Sequence, residues 1–130
     1  MIAPGEKHKK RVLVVEDEQP LRQAMEIRLL QEGYRADTAA NGREALAKMV
    51  QAQPNLILLD LVMPIMDGVD FLKALKVDEK ASVPIVVLTV MTSGVLFEQC
   101  QLLGVKDYLV KDKTPLEEII KKVKAIVGKA

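Results

Sequence analysis

Short, wholly apolar runs that end in a polar residue constrain the fold of this chain more than any other feature. Each run is followed directly by acids, a threonine or a lysine: residues 12–15 by Glu16 and Asp17, 56–59 by Asp60, 84–88 by Thr89, and 108–110 by Lys111. Short β-branched runs of this kind are typical of parallel strands that are buried on both faces of a sheet. A further, weaker strand is predicted over residues 34–39.

Segments with helical spacing of apolar residues separate these strands. The first predicted helix has Pro20 in its first turn and ends at Gly33, and the second is capped by Asn41 and closed before Pro54. The third and fourth cover residues 69–77 and 95–103. Five strands that alternate with five helices predict an α/β fold, a doubly wound parallel sheet with helices on both faces.

The fifth predicted helix follows residues 114–117, whose sequence Thr-Pro-Leu-Glu matches a capping box with proline at the first helical position. Its apolar residues form one stripe: Leu116, Ile119, Ile120, Val123, Ile126 and Val127. We therefore expect Thr114 and Glu117 to satisfy the backbone at the start of this helix.

Composition and charge exclude several classes of protein. The 130 residues fit one domain, and a net charge of +1 provides no general attraction to nucleic acid or anionic lipid. The single cysteine, Cys100, and the single histidine, His8, exclude an internal disulfide and a zinc site built from such ligands. No apolar run approaches the roughly 18 residues of a membrane helix, so we expect a cytoplasmic protein.

The polar residues after the strands predict a cation site. The carboxyl ends of parallel strands share one edge of the sheet, where ligands bind in doubly wound folds. We therefore expect Asp17, Asp60 and Lys111 to lie together. Clustered carboxylates repel unless a cation compensates them, and Mg²⁺ prefers oxygen ligands. A carboxylate beside both Mg²⁺ and an ammonium can attack a phosphoryl group, because the two cations stabilise charge on the transferring oxygens.

The same residues carry a resemblance to a known family. Four motifs occur in order: Val-Leu-Val-Val-Glu16-Asp17-Glu18, Leu-Ile-Leu-Leu-Asp60-Leu-Val-Met-Pro64-Ile-Met-Asp67-Gly68, Ile-Val-Val-Leu-Thr89 and Gly104-Val-Lys-Asp-Tyr108-Leu-Val-Lys111. With them the chain resembles the receiver domain of two-component response regulators, from Arg11 to about Val127. The second motif is the most specific of the four, whereas the acid pair alone would indicate little.

The resemblance implies a role for each site residue. Asp60 would accept a phosphoryl group in a Mg²⁺-dependent reaction. The metal would be bound by Asp17, Asp60 and the backbone carbonyl of Val62, with Glu16 acting through water. Thr89 and Lys111 would contact the phosphoryl group, and Tyr108 would rotate inward when Thr89 moves. The domain would thus be a signalling phosphoacceptor that assists its own phosphorylation and dephosphorylation, and not an enzyme.

The resemblance also implies the topology and the partners. We expect the strand order 2-1-3-4-5, with a receiver domain over residues 11–128, a flexible basic tail over 1–10 and no output domain. The expected donor is a histidine kinase or a histidine phosphotransfer protein. A downstream protein would bind the face formed by the fourth helix, the fifth strand and the fifth helix. We expect a monomer or a phosphorylation-dependent dimer, with no direct contact to nucleic acid or membrane.

Three features depart from the family pattern. Lys111 is followed by Asp112 where the family usually has a proline in a cis peptide, so this bond is either trans or strained. Val90 stands where a smaller residue is common and would crowd the mouth of the site. Val62 and Met91 lack polar groups that could position an attacking water, which predicts slow self-hydrolysis of a phosphoaspartate.

Other functions remain open to the sequence. A degenerate receiver that docks partners without phosphorylation would not need the acids, Thr89 and Lys111 that are present here. An aspartate-nucleophile phosphatase generally has a second acid two residues after the nucleophile, where this chain has Val62. A flavodoxin would need a phosphate-binding loop after the first strand, where this chain has Glu16-Asp17-Glu18.

Overall fold

The computed structural model describes residues 9–77 and 82–130. The strands are β1 (Arg11–Val15), β2 (Arg35–Ala39), β3 (Leu56–Leu59), β4 (Ile85–Thr89) and β5 (Asp107–Val110). The helices are α1 (Gln19–Gln31), α2 (Gly42–Gln51), α3 (Gly68–Val77), α4 (Gly94–Leu102) and α5 (Leu116–Val127). All neighbouring strands are parallel, in the order β2-β1-β3-β4-β5, which confirms the predicted fold class and topology.

Two apolar cores lie on opposite faces of this sheet. Because side chains alternate along a strand, β1 directs Leu13 and Val15 into one core and Val12 and Val14 into the other. The first core contains residues of α2, α3 and α4, and the second contains residues of α1 and α5. The predicted apolar stripe of α5 contacts the second core, with Ile119, Ile120 and Val123 fully buried.

The helix ends follow the signals in the sequence, with one exception. The side chain of Asn41 accepts a hydrogen bond from the backbone N–H of Glu44 at 2.9 Å and caps α2 as predicted. Gly33 follows the end of α1 at φ +95°, and Gly104 follows the end of α4 at φ +85°. Positive φ is a conformation that favours glycine.

The capping box predicted for α5 is wrong. The Thr114 hydroxyl donates instead to the carbonyl of Val110 at 2.8 Å, and Pro115 precedes the helix without a side-chain cap. Glu117 accepts two hydrogen bonds from the guanidinium of Arg28 on α1, at 2.8 and 2.9 Å. The carboxylate of Glu117 thus binds a guanidinium of another helix with both oxygens, in a bidentate pair, instead of the backbone at the start of α5.

The ends of the described region add two observations. Residues 1–8 of the predicted tail lie outside it, while the carbonyl of Lys10 accepts a hydrogen bond from the backbone N–H of Arg35 at 2.9 Å. Among the described residues, no helix combines the length and the apolar character needed to cross a membrane.

Removing the cap of α2 should destabilise the protein measurably. Asn41→Ala deletes the acceptor for the N–H of Glu44, and we expect it to lower the free energy of unfolding by about 1 kcal/mol in urea denaturation. Asn41→Ser keeps an oxygen acceptor without placing a second carboxylate beside that of Glu44, which accepts from the Asn41 amide at 3.3 Å, and should be destabilised less than the alanine variant. Equal stabilities for the alanine variant and the unmodified protein would contradict this assignment.

Candidate functional site

Three carboxylates meet at the carboxyl edge of the sheet. Oxygen atoms of Glu16, Asp17 and Asp60 all lie within 4.8 Å of one another. Glu16 and Asp60 are buried, with 1% and 4% of their surface exposed, whereas Asp17 is exposed. The structure therefore brings together the acids that the sequence places after β1 and β3.

The β-ladder holds the two buried acids in position. The backbone N–H of Glu16 donates to Ala39 of β2, and that of Asp60 donates to Val15 of β1, both at 3.0 Å. The sheet thus extends one residue beyond β1 and β3, and its hydrogen bonds fix the backbone from which each carboxylate projects.

Lys111 supplies the nearest positive charge. It directly follows β5, and its ammonium lies 2.6 Å from Oε1 of Glu16 and 3.2 Å from Oδ2 of Asp60. Burial opposes the charged ammonium, but the hydrogen bond to Glu16 and the charges of both acids outweigh it and raise the pKa of Lys111. The Lys111–Asp112 peptide bond is trans, and a single 3₁₀ turn at Lys111–Lys113 follows.

One lysine does not compensate the whole cluster. Burial raises the pKa of Glu16 to about 7; the hydrogen bond from Lys111 opposes this shift, and the charge of Asp60 adds to it. A cluster of hard oxygen donors with excess negative charge matches the ligands that Mg²⁺ prefers. The residues present therefore fit a divalent cation held by Asp17 and Asp60 beside Glu16.

Arg22 is a contact of this site that sequence reasoning missed. One nitrogen of its guanidinium donates to the carbonyl oxygens of Glu16, at 2.8 Å, and Asp17, at 3.2 Å. An arginine one helical turn after a strand-end acid pair was the available signal, but in sequence it is indistinguishable from a solvated helix residue.

The loop after Asp60 is tightly constrained. The N–H of Gly68 donates to the carbonyl of Leu61 at 3.0 Å, and a Cβ at Gly68 would overlap the carbonyl oxygen of Asp60. Ile65 has a φ of 69°, in the region that favours glycine, and the N–H of Met66 closes the turn around it on the carbonyl of Pro64 at 2.7 Å.

The same loop is attached to α2. The carbonyl of Met66 accepts a hydrogen bond from the N–H of Gly42 at 2.9 Å, and a Cβ at Gly42 would lie 2.7 Å from Cγ of Met66. The strained residue Ile65 is thus held between two anchored points, Met66 on one side and the Asp60 strand end on the other.

Thr89 and Tyr108 are linked through one intervening residue. Thr89 is fully buried at the end of β4, and its hydroxyl oxygen accepts a hydrogen bond from the N–H of Met91 at 3.3 Å. The Tyr108 hydroxyl donates to the carbonyl of Met91 at 2.8 Å, and its ring contacts Phe97 edge-on with centroids 5.4 Å apart. The predicted switch residues are therefore in indirect contact.

Apolar side chains are exposed near these loops. Val62 is 55% exposed, Val90 50% and Met91 39%. The N–H of Val62 donates to Oδ1 of Asp60 at 3.3 Å, which places this residue beside the acid. Cys100, in contrast, is buried in the first core, where it packs as a small apolar residue.

Comparison with known proteins points to one family. The model of the response regulator receiver domain matches residues 12–124. The transcriptional regulatory protein ResD of Bacillus subtilis is 38% identical over 120 residues, which are 92% of this chain and 49% of that protein. The DNA-binding response regulator MtrA of Mycolicibacterium paratuberculosis is 35% identical over 117 residues, 90% of this chain and 51% of that protein. The chain spans about half the length of these relatives.

A solved structure agrees over almost its full length. The chemotaxis protein CheY4 of Vibrio cholerae matches with a TM-score of 0.83 and 34% sequence identity, covering 91% of this chain and 98% of that one.

Relieving the strained turn should stabilise the protein. Ile65 is 76% exposed, so its replacement loses little burial, whereas a residue with a Cβ in a strained positive-φ turn costs about 1–3 kcal/mol. Glycine has no Cβ and adopts positive φ freely, and we expect Ile65→Gly to raise the free energy of unfolding by about 1 kcal/mol in urea, after the entropic cost of glycine in the unfolded chain. Ile65→Val keeps the β-branched side chain and should change little. A destabilised glycine variant would contradict the assignment of strain.

Proposed function

Since the chain belongs to the family of response regulator receiver domains, a signalling domain of two-component systems, we propose that it accepts a phosphoryl group on Asp60 in a Mg²⁺-dependent reaction. One observation carries the proposal: the carboxylate of Asp60 lies 3.2 Å from the ammonium of Lys111 and within 4.8 Å of the carboxylate oxygens of Glu16 and Asp17. We propose a histidine kinase or a histidine phosphotransfer protein as the donor.

In the proposed reaction a carboxylate oxygen of Asp60 attacks phosphorus. The new O–P bond forms as the P–N bond to the donor histidine breaks, and the imidazole nitrogen leaves with the electron pair of that bond. The Lys111 ammonium stabilises the developing negative charge, and the Thr89 hydroxyl can donate to the transferred group. The N–H of Val62, which donates to Asp60 at 3.3 Å, orients the nucleophile.

The metal would be held by residues of two strand ends. Asp17, Asp60 and the backbone carbonyl of Val62 are the proposed ligands, with Glu16 acting through water. Bound there, Mg²⁺ would supply charge stabilisation for the transferring oxygens.

Phosphorylation would change the charge at Asp60 and add acceptor oxygens. We propose that Thr89 then donates to the phosphoryl group, which alters its contact with the Met91 backbone and, through Met91, the bond to Tyr108. The affected surface comprises α4, β5 and α5. On α4, Val95 and Leu102 are 78% and 79% exposed, which suits contact with a downstream protein.

MtrA is named a DNA-binding response regulator and ResD a transcriptional regulatory protein, and each is about twice the length matched here. We propose that the receiver domain itself acts through protein contacts, as a monomer or a phosphorylation-dependent dimer. A degenerate receiver is not supported, because the three acids and Lys111 lie together in one site, and Thr89 ends the strand β4 beside β3.

Phosphorylation of Asp60 is testable with a small donor. We expect a single phosphoryl adduct in the intact mass after incubation with Mg²⁺ and acetyl phosphate, and no adduct on Asp60→Asn or after chelation of the metal. Asp70→Asn, which removes an exposed acid of α3, is the matched control and should be labelled normally. Labelling of Asp60→Asn, or of the chelated protein, would contradict the proposed nucleophile or the proposed metal dependence.

The lifetime of the phosphoaspartate should depend on Val62. Its exposed, apolar side chain offers no hydrogen bond to an attacking water, so we propose that hydrolysis is slow. Val62→Asn adds an amide that can orient water and should shorten the lifetime several-fold, measured by loss of the adduct after removal of the donor. Val50→Asn, at an exposed valine in the last turn of α2, should leave it unchanged. An unchanged lifetime in Val62→Asn would refute this explanation.

A further inference from the structure

Arg22 binds the backbone of all three consecutive acids that follow β1. Its own N–H donates to the carbonyl of Glu18 at 2.9 Å, as the first turn of α1 requires. One guanidinium nitrogen donates to the carbonyls of Glu16 and Asp17, at 2.8 and 3.2 Å. A single residue thus binds three successive peptide groups of the acidic loop, residues 16–18, and restricts their rotation.

The choice of acceptors is informative. Three carboxylates lie in the adjoining loop, yet among the described residues Arg22 forms no ion pair with a carboxylate within 4.0 Å. Its guanidinium donates hydrogen bonds to neutral backbone carbonyl oxygens instead. The carboxylates of Glu16 and Asp17 are therefore not engaged by Arg22 and lie in the cluster with Asp60. There Lys111 contacts one oxygen of Glu16, and the N–H of Glu18 donates to the other.

The carbonyl contacts also restrict the direction of the side chains. With both carbonyls bound to Arg22, the peptide planes after Glu16 and Asp17 cannot rotate without breaking a charge-assisted hydrogen bond. The ladder bond from Glu16 to Ala39 fixes the preceding peptide. Asp17 is exposed, and the peptide that follows it is held at both ends: its carbonyl accepts from Arg22, and the N–H of Glu18 donates to the carboxylate of Glu16, each at 3.2 Å.

We propose that Arg22 is a positioning residue for the divalent cation: it orients the loop that carries Glu16 and Asp17 so that their carboxylates converge with Asp60. This inference rests on the Mg²⁺ site of the proposed function. Groups that orient metal ligands without touching the metal typically change metal affinity by 10- to 100-fold.

Charge alone predicts the opposite effect. A guanidinium near a cation site repels Mg²⁺, so removing it should tighten binding if Arg22 acts only through its charge. Removing it should weaken binding if Arg22 acts by orienting the loop. The direction of the change therefore separates the two roles.

The experiment is a calorimetric titration of the full chain with Mg²⁺. Arg22→Met keeps the length of the side chain but removes its donors and its charge, and we expect the Mg²⁺ Kd to rise about tenfold. Arg22→Lys retains donors and charge and should restore most of the affinity. Glutamine is too short to bind both carbonyls, so Arg22→Gln should also raise the Mg²⁺ Kd. This variant replaces Arg22→Met in the titration if Arg22→Met does not fold.

Arg28→Met is the matched control. It removes the same charge from the same helix, but Arg28 contacts Glu32 and Glu117 and no residue of the acidic loop. Its Mg²⁺ Kd should stay within twofold of the unmodified value. An unchanged or lower Kd in Arg22→Met, or an equal rise in Arg28→Met, would overturn the positioning role.

Phosphorylation adds an independent readout. At saturating Mg²⁺, the labelling rate of Arg22→Met with acetyl phosphate should return to that of the unmodified protein, because only metal affinity is affected. A rate that stays low at saturating Mg²⁺ would overturn the inference. If the unmodified protein binds Mg²⁺ but takes no phosphoryl group, the proposed function fails while calorimetry still tests Arg22.

Discussion

Mutual repulsion of three carboxylates is the constraint around which this end of the molecule is organised. Glu16, Asp17 and Asp60 come from two strand ends, and no short-range interaction would hold them together in an isolated peptide. Burial of the apolar strands on both faces of the sheet provides the stabilising free energy. Because this burial fixes β1 beside β3, the acids at the two strand ends lie close together. Lys111 offsets part of the repulsion, and three carboxylates beside one contacting ammonium leave negative charge for a cation to compensate.

The fold and the acid cluster were predictable because they depend on pattern. Apolar runs identify the strands, parallel strands align their carboxyl ends, and Asp60 and Lys111 follow their strands directly. What the sequence could not supply is contact geometry. Thr114 and Glu117 carry a valid capping signal, but Glu117 is bound by Arg28, which lies 89 positions away in the chain. Local patterns do not report such competing partners.

The backbone conformation of Ile65 and the contacts of Arg22 could not be predicted from the sequence, for related reasons. Nothing about isoleucine predicts a φ of 69°, because the strain at Ile65 is imposed by the anchoring of Met66 to Gly42 and by the loop's return to Asp60 at Gly68. Arg22 reaches backward over one helical turn to carbonyl oxygens, which have no signature in a sequence.

The two loops that flank Asp60 differ in stiffness, and this difference favours one route for a signal. On one side, the loop from Leu61 to Gly68 is bonded to itself and to α2, so a change at Asp60 meets resistance there. On the other side, Thr89 pairs with Val110 of β5 in the sheet, but its hydroxyl contacts the backbone of Met91, whose carbonyl binds the Tyr108 hydroxyl. Helix α4, which follows Met91, fully buries only Cys100 among its residues. An element with few buried contacts is displaced at low cost. A charge change at Asp60 should therefore alter the α4 surface before it alters α2 or α3.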